Sequence, residues 1–242
     1  MPSLGAHTVK GYTSAGATTT DAITLQTTAT VMVCAYWQQT STPPDLTDSN
    51  GNTLTLVSSA QVGANAGGNW YGVWVGSGIV GGSGYTVTAT KSNGYTTLWV
   101  VEAVGATAYT SAFLVDATNP YSHDITTAGA ALVVGFCATE GNAALTMDST
   151  ANGFTELDEE GSVSFWQGIT AYKAVTAGTH TFSTTVTGSV LNGGVALLAF
   201  TGPAAAWRNS VAKLKVAGTF VNVLVREKIA GTFVTGTNKG FK

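Results

Sequence analysis

The sequence predicts an all-β protein: two tandem Ig-like or jelly-roll-like β-sandwich domains followed by a C-terminal β-hairpin element. Three observations carry that prediction. The first is an internal duplication. DAITLQTTATVMVCAY (from Asp21) parallels DITTAGAALVVGFCA (from Asp124), and DSNGNTLTLV (from Asp48) parallels DSTANGFTELD (from Asp148). TTLWVVEAVGA (from Thr96) likewise parallels GGVALLAFTGP (from Gly193). In this alignment Cys34 falls opposite Cys137 and Gly105 opposite Gly202. A period of about 100 residues is too long for a solenoid and fits two similar domains, each with its own core. The second observation is a chain of short runs rich in Val, Thr, Trp and Tyr, punctuated by Gly, Asn, Pro and Ser at the spacing of a sandwich or small barrel. The third is composition. Hydrophobic residues make up 44% of the chain and charged ones only 10%. That balance describes small polar groups on strands, not Lys and Glu on helices.

The elements follow in order. AITLQT, TVMVCAYW, TLTLVSSAQV, WYGVWVG, GYTVTAT and TTLWVVEAV supply the strands of a first sandwich over residues 1–106. ALVVGFCAT, FTELDEE, VSFWQGITAYKAV, THTFSTTV and VALLAFTG supply those of a second over 107–203. TSAGATTTDA and SAFLVDATNPYSHD read as connections carrying edge strands. Residues 204–242 hold a smaller repeat, VAKLKVAGTFVNV then VREKIAGTFVTG, with AGTF at 217–220 and 230–233. Lys213 and Lys215 alternate with Leu214 and Val216, the pattern of a half-buried strand with one charged face. A hairpin of this size is marginal alone. It is expected to pack on the second sandwich or on the same element of another copy, with residues 204–207 as the hinge.

Charge is unevenly placed. Residues 203–242 carry Arg208, Lys213, Lys215, Arg226, Lys228, Lys239 and Lys242 against Glu227 alone, a net of +6. Residues 1–202 carry three basic side chains against twelve acidic ones, a net of −9. A basic end on an acidic body suits docking on an acidic surface such as a neighbouring copy. Arg208, Lys213, Lys215, Arg226 and Lys228 are therefore the candidate assembly residues. Nucleic acid is disfavoured as a partner, because Phe and Val replace a dense Arg cluster. No run of eighteen apolar residues predicts a membrane span. The opening MPSLGAHTVKGYTSAG lacks the blocks of a signal peptide, so assembly in a cytoplasm is expected.

No motif points to catalysis or to a cofactor. His7, His123 and His180 are isolated in sequence, and no serine sits in a GxSxG elbow. Glu156, Asp158, Glu159 and Glu160 read as a solvated strand end and turn, not as a general-acid pair. DSNGN alternates oxygen side chains as some calcium loops do, but Ser58 and Ser59 stand where a distal bidentate acid is needed. Asn-Gly between strands reads first as a hairpin turn. Cys34 and Cys137 read as small buried core residues, with neither a zinc spacing nor a disulfide expected. The aromatic residues are the better candidates. Trp70 and Trp74 share one strand face and Tyr71, Val73 and Val75 the other. If the second set is core, Trp70 and Trp74 form an exposed glycan platform, with Trp37 near it and Trp166 on similar ground in the second repeat. The competing reading places these tryptophans in the sandwich cores.

DSNGNTLTLV, GGSGYTVTAT and WVVEAVGA resemble a repeat found in tailed-bacteriophage virion proteins and some bacterial surface proteins. Asp48, Gly51, Asn52, Thr53, Glu102 and Gly105 fit its pattern. The second repeat departs from it, with Asn152-Gly153 displaced and Ala199 in place of the acid. LKVAGTFVNVLVREKIAGTFV resembles the hairpin that ends many phage tail and receptor-binding proteins, with Phe220 and Phe233 in place of its tryptophan. The resemblance implies a non-enzymatic β-sandwich protein of a virion assembled in the host cytoplasm. The leading expectation is a tail-fibre or receptor-binding component touching host surface polysaccharide. It would be joined to other virion proteins or to itself, as in a trimer, through the basic element. A capsid decoration or head-fibre protein is the alternative, and a bacterial surface carbohydrate-binding module the third. Burial of the tryptophans would favour the purely structural readings.

Overall fold

Val, Thr and aromatic runs between glycine-rich breaks form strands almost throughout the chain, as expected. The computed structural model describes residues 1–229 except 14–15, 39–40, 63–67, 92–93, 142–145, 149, 163–165, 188–189, 204–205 and 217–218. The first repeat contributes β1 (Ser3–Thr13), β2 (Gly16–Thr19), β3 (Ile23–Gln38), β4 (Asp45–Asp48), β5 (Thr55–Val62), β6 (Asn69–Tyr85), β7 (Val87–Lys91) and β8 (Thr96–Val104). The second contributes β9 (Ala108–Ala117), β10 (Tyr121–Thr127), β11 (Ala131–Gly141), β12 (Thr146–Asp148), β13 (Thr155–Ser162), β14 (Trp166–Val175), β15 (Gly178–Thr187) and β16 (Val190–Thr201). β17 (Ala206–Val216) and β18 (Thr219–Ile229) follow. Among the described residues the only helical turn is the 3-10 segment Ala151–Gly153.

The topology repeats strand for strand. The first repeat forms a sheet of order β1-β8-β3-β6-β5 and a smaller one of order β2-β7-β4. The second forms β9-β16-β11-β14-β13 and β10-β15-β12, the same order eight strands later. Every ladder is antiparallel. This is the jelly-roll arrangement of an eight-stranded double sheet, with the fifth strand moved onto the larger sheet.

The sheets stack in four layers around three cores. Between the smaller and larger sheets of the first repeat lie Val31, Val33, Trp37, Trp74, Ile79, Tyr85, Val87, Leu98 and Val100. The second repeat encloses Tyr121, Val133, Cys137, Phe154, Ile169, Phe182 and Leu197 in the same way. The third core lies between the two five-stranded sheets and takes side chains from both repeats, among them Tyr36, Tyr71, Trp99, Phe136, Trp166, Leu198 and Phe200. Each five-stranded sheet is thus buried on both faces. Its central strands are buried without alternation over residues 30–37, 71–76, 96–103, 131–140, 166–171 and 193–200. Near-continuous apolar runs such as TVMVCAYW are the sequence form of such a strand.

Residues 1–202 accordingly form one compact unit, and residues 203–242 a second. The expected division at 106/107 falls inside the first unit. Neither sandwich is closed alone, because the outer face of its larger sheet is as apolar as the inner one. The chain passes from β8 to β9 through residues 105–107, fastened by the Thr107 amide donating to Thr201 O at 2.8 Å. β1 lies beside β13 and β5 beside β9, a reciprocal arrangement that makes the body an approximate two-fold pair.

The duplication is also visible in irregularities. β5 bulges between Leu56 and Ser58 opposite Trp74 and Val73. β13 bulges between Glu156 and Asp158 opposite Ala171 and Thr170. Asp48 Oδ1 accepts from the amides of Asn50 (3.0 Å) and Asn52 (2.8 Å), and Asp148 Oδ1 from that of Thr150 (2.9 Å). DSNGN is therefore a turn closed on itself and pinned to β6, with Asn52 Oδ1 accepting from the Val80 amide at 3.1 Å. The cysteine alignment needs correction by one residue. Cys34 pairs across β3–β8 with Trp99, six residues before Gly105. The residue pairing six before Gly202, with Ala196, is Phe136. Cys34 faces the central core and Cys137 the inside of the second sandwich, and both are free thiols.

The second unit contains the hairpin β17–β18, paired from Ala206 opposite Ile229 to Val216 opposite Thr219. The second AGTF copy, at 230–233, and half of the expected hinge, at 204–205, lie outside the described residues.

Candidate functional site

The expected aromatic platform is not formed. Trp37 and Trp166 are 0% exposed and Trp74 is 4% exposed. Trp37 and Trp74 sit 6.0 Å apart inside the first sandwich, where half-buried Trp70 packs against the same core. Trp166 lies in a different core, stacked on Tyr36 at 5.1 Å and edge-on to Trp99 at 6.2 Å. The premise of one core face and one wet face on the 70–75 strand fails because its sheet is covered on both sides. The tryptophans fill cores, and three of the four offer no face to a ligand.

The ladder register puts four of the five candidate basic residues in one set of alternating positions. Residues directly opposed in an antiparallel ladder share a face. Lys228 opposes Trp207, Arg226 opposes Asn209, Lys213 opposes Asn222 and Lys215 opposes Phe220, all on one face by register. Arg208 falls on the other face, opposite Glu227. That second face carries Ala206, Ser210, Ala212, Leu214, Val216, Val221, Val223, Val225 and Ile229 in its register positions.

Several specific contacts gather at the seam between the repeats. Trp99 packs on Phe136 at 5.0 Å, and Tyr71 lies 6.2 Å from the same ring. The Tyr71 hydroxyl donates to Leu114 O at 3.2 Å, and its surroundings push that phenol's pKa up, chiefly through burial. Two glycines make room for these rings. A Cβ on Gly168 would stand 2.6 Å from the Trp99 indole, and one on Gly194 would strike the Tyr71 ring. Glycine inside a strand is a mark of such close approach.

Polar groups join the seam at its rim. His7 on β1 and Asp158 on β13 form an Nδ1–Oδ2 contact of 2.8 Å across 151 positions of sequence, so His7 is not isolated. The acidic run is a whole edge strand, β13, not a strand end and turn. Glu159 accepts from Gln167 Nε2. Partial burial, with Glu159 and Asp148 nearby, raises the pKa of Glu156. Charge on an exposed edge discourages further strand pairing. Glu102 is a buried carboxylate whose Oε2 accepts from the Ala6 amide (2.9 Å) and Oε1 from the Gln26 amide (2.7 Å). It holds the β1 irregularity between Leu4 and His7 in place. Burial raises the pKa of both Cys34 and Cys137, which keeps them as inert thiols near neutral pH.

Sequence reasoning singled out neither Trp99, Gly168 and Gly194 nor the His7–Asp158 pair. The strand-interior glycines of WQGITAY and LNGGVALL were the available signal for the first three. Nothing in the sequence signals the fourth contact, which depends on how the two sheets stack. Among the described residues no group of three or more His, Cys, Asp or Glu is placed to hold a metal ion. No helix among them is long and apolar enough to cross a membrane. Compared with known proteins, the chain matches no family model, no curated protein and no solved structure.

Proposed function

We propose that this chain is a non-enzymatic structural protein of a tailed-phage virion. Its four-layer body acts as a rigid block, and its basic C-terminal segment joins it to other virion proteins or further copies. The observation that carries this reading is the inward use of Trp37, Trp74 and Trp166, which spends on packing the residues a glycan reader would display. The resemblance of the DSNGNT and WVVEAVG segments to virion repeats points the same way, as does the opposition of a −9 body and a +6 tail. Capsid decoration fits these features best.

A tail-fibre protein touching polysaccharide is the second reading. It is favoured by hydroxyl-lined outer sheets, where Thr19 bonds Thr88 at 2.9 Å and Thr126 bonds Thr179 at 3.0 Å. Labelling the C-terminus on intact particles separates the two. Label in many regular copies over the head supports decoration. Label confined to fibre tips, with purified protein binding host polysaccharide, supports the second reading and overturns the first.

A further inference from the structure

Around Trp99 and Tyr71 the two sides of the seam have opposite shapes. Register gives the equivalent positions. Tyr36 pairs with Tyr71 and Thr97 where Ala138 pairs with Gly168 and Gly194. Cys34 pairs with Trp99 where Phe136 pairs with Ala196. At four of these five positions the first repeat carries the larger side chain: Tyr36 against Ala138, Tyr71 against Gly168, Thr97 against Gly194 and Trp99 against Ala196. The fifth is reversed, Cys34 against Phe136. The contacts match the substitutions. Trp99 occupies the space left by Gly168, Tyr71 the space left by Gly194, and Phe136 packs on Trp99 and Tyr71.

We infer that the seam is a keyed surface: the first repeat fits only a sheet hollowed as the second is, so like repeats from two chains cannot pair through it. Two first-repeat sheets brought together by the same two-fold relation would set Tyr71 against Thr97 and Trp99 twice. Close-packed interiors do not absorb that excess volume without backbone shifts. Two second-repeat sheets would set Gly168 against Gly194 and Ala196 twice, leaving voids. The tether at 105–107, fastened to Thr201, favours pairing within the chain. Copies of this protein therefore meet through other surfaces, whatever assembly they build.

The test exchanges one key and its hollow in the full-length chain. Gly168→Tyr places a first-repeat ring under Trp99. Trp99→Ala gives that position the small residue its counterpart carries, Ala196. Thermal unfolding and light scattering are read for G168Y, W99A and the W99A/G168Y double variant. G168Y is expected to melt at least about 5–10 °C below the parent chain or to aggregate. The double variant is expected to melt above G168Y, or to stay soluble where G168Y does not. A G168Y chain that melts with the parent, or a double variant no better than G168Y, overturns the inference.

Discussion

Val57 and Leu157, one hundred positions apart, are the extra residues of the same bulge in the two repeats, and both turn their side chains onto the central core. A bulge re-aims one side chain on an edge strand. Here it does so twice, once on each side of the seam. Truncation should destabilise from both sides: about 1–2 kcal/mol for Leu157→Ala and somewhat less for Val57→Ala, since each is partly buried. Urea denaturation of the two variants checks this. A cost near zero for both would place the side chains in solvent.

Trp74 is a core residue of the first sandwich, beside Trp37. Trp74→Ala should cost about 3–5 kcal/mol, lowering the unfolding midpoint before any binding property is affected. Circular dichroism through a denaturant series measures the loss. A Trp74→Ala chain with unchanged stability would restore an exposed tryptophan.

Glu102 satisfies two amides from inside the protein, those of Ala6 and Gln26. Glu102→Ala should leave both donors without their acceptor and cost about 2–4 kcal/mol. Glu102→Gln keeps one acceptor oxygen and should cost less. Hydrogen exchange at Ala6 and Gln26 reports the effect locally. Unchanged protection at both amides in Glu102→Ala would refute the role.

Asp148 and Glu156 shift in opposite directions and should give opposite pH responses. The turn bonds from Thr150 lower the Asp148 pKa in the folded chain. Its contribution is present above its unfolded pKa and fades as pH falls through the lower, folded one. Glu156 is raised by partial burial first and by Glu159 and Asp148 after. Its ionised form is disfavoured in the fold, so its penalty is present above the raised folded pKa and disappears as pH falls through the unfolded one. Glu156→Gln should therefore stabilise slightly at pH 7, by no more than about 0.5 kcal/mol on so exposed a strand, and not at pH 3. Unfolding midpoints of parent and variant at the two pH values test the difference.

The all-β class, the duplication and the turn at Asp48 were legible because each rests on local signals: short β-rich runs between glycine-rich breaks, a repeated Asp-led turn, Asn-Gly. The stacking of one repeat on the other was not, although the apolar runs over 30–37 and 131–140 carried the hint. A strand buried on both faces and a strand buried on one differ in the identity of alternate residues. Thr30, Ala35, Gly135 and Thr139 are small enough to be read as the wet side of an ordinary sandwich. The same ambiguity suggested an open platform at Trp70 and Trp74. The one-residue slip at the cysteines has a similar cause, since matching identical residues is no guide to which face each one takes.

The shared core sets a waiting period during synthesis. The first repeat leaves the ribosome carrying Tyr36, Tyr71 and Trp99 on a sheet whose cover has yet to be made. About a hundred further residues must be added before β16 can close over them, roughly 5–20 s at ordinary elongation rates. For that interval the nascent chain displays an uncovered aromatic sheet. Chaperone occupancy and aggregation in the cell should therefore track translation speed through residues 107–202 more closely than the stability of the finished body.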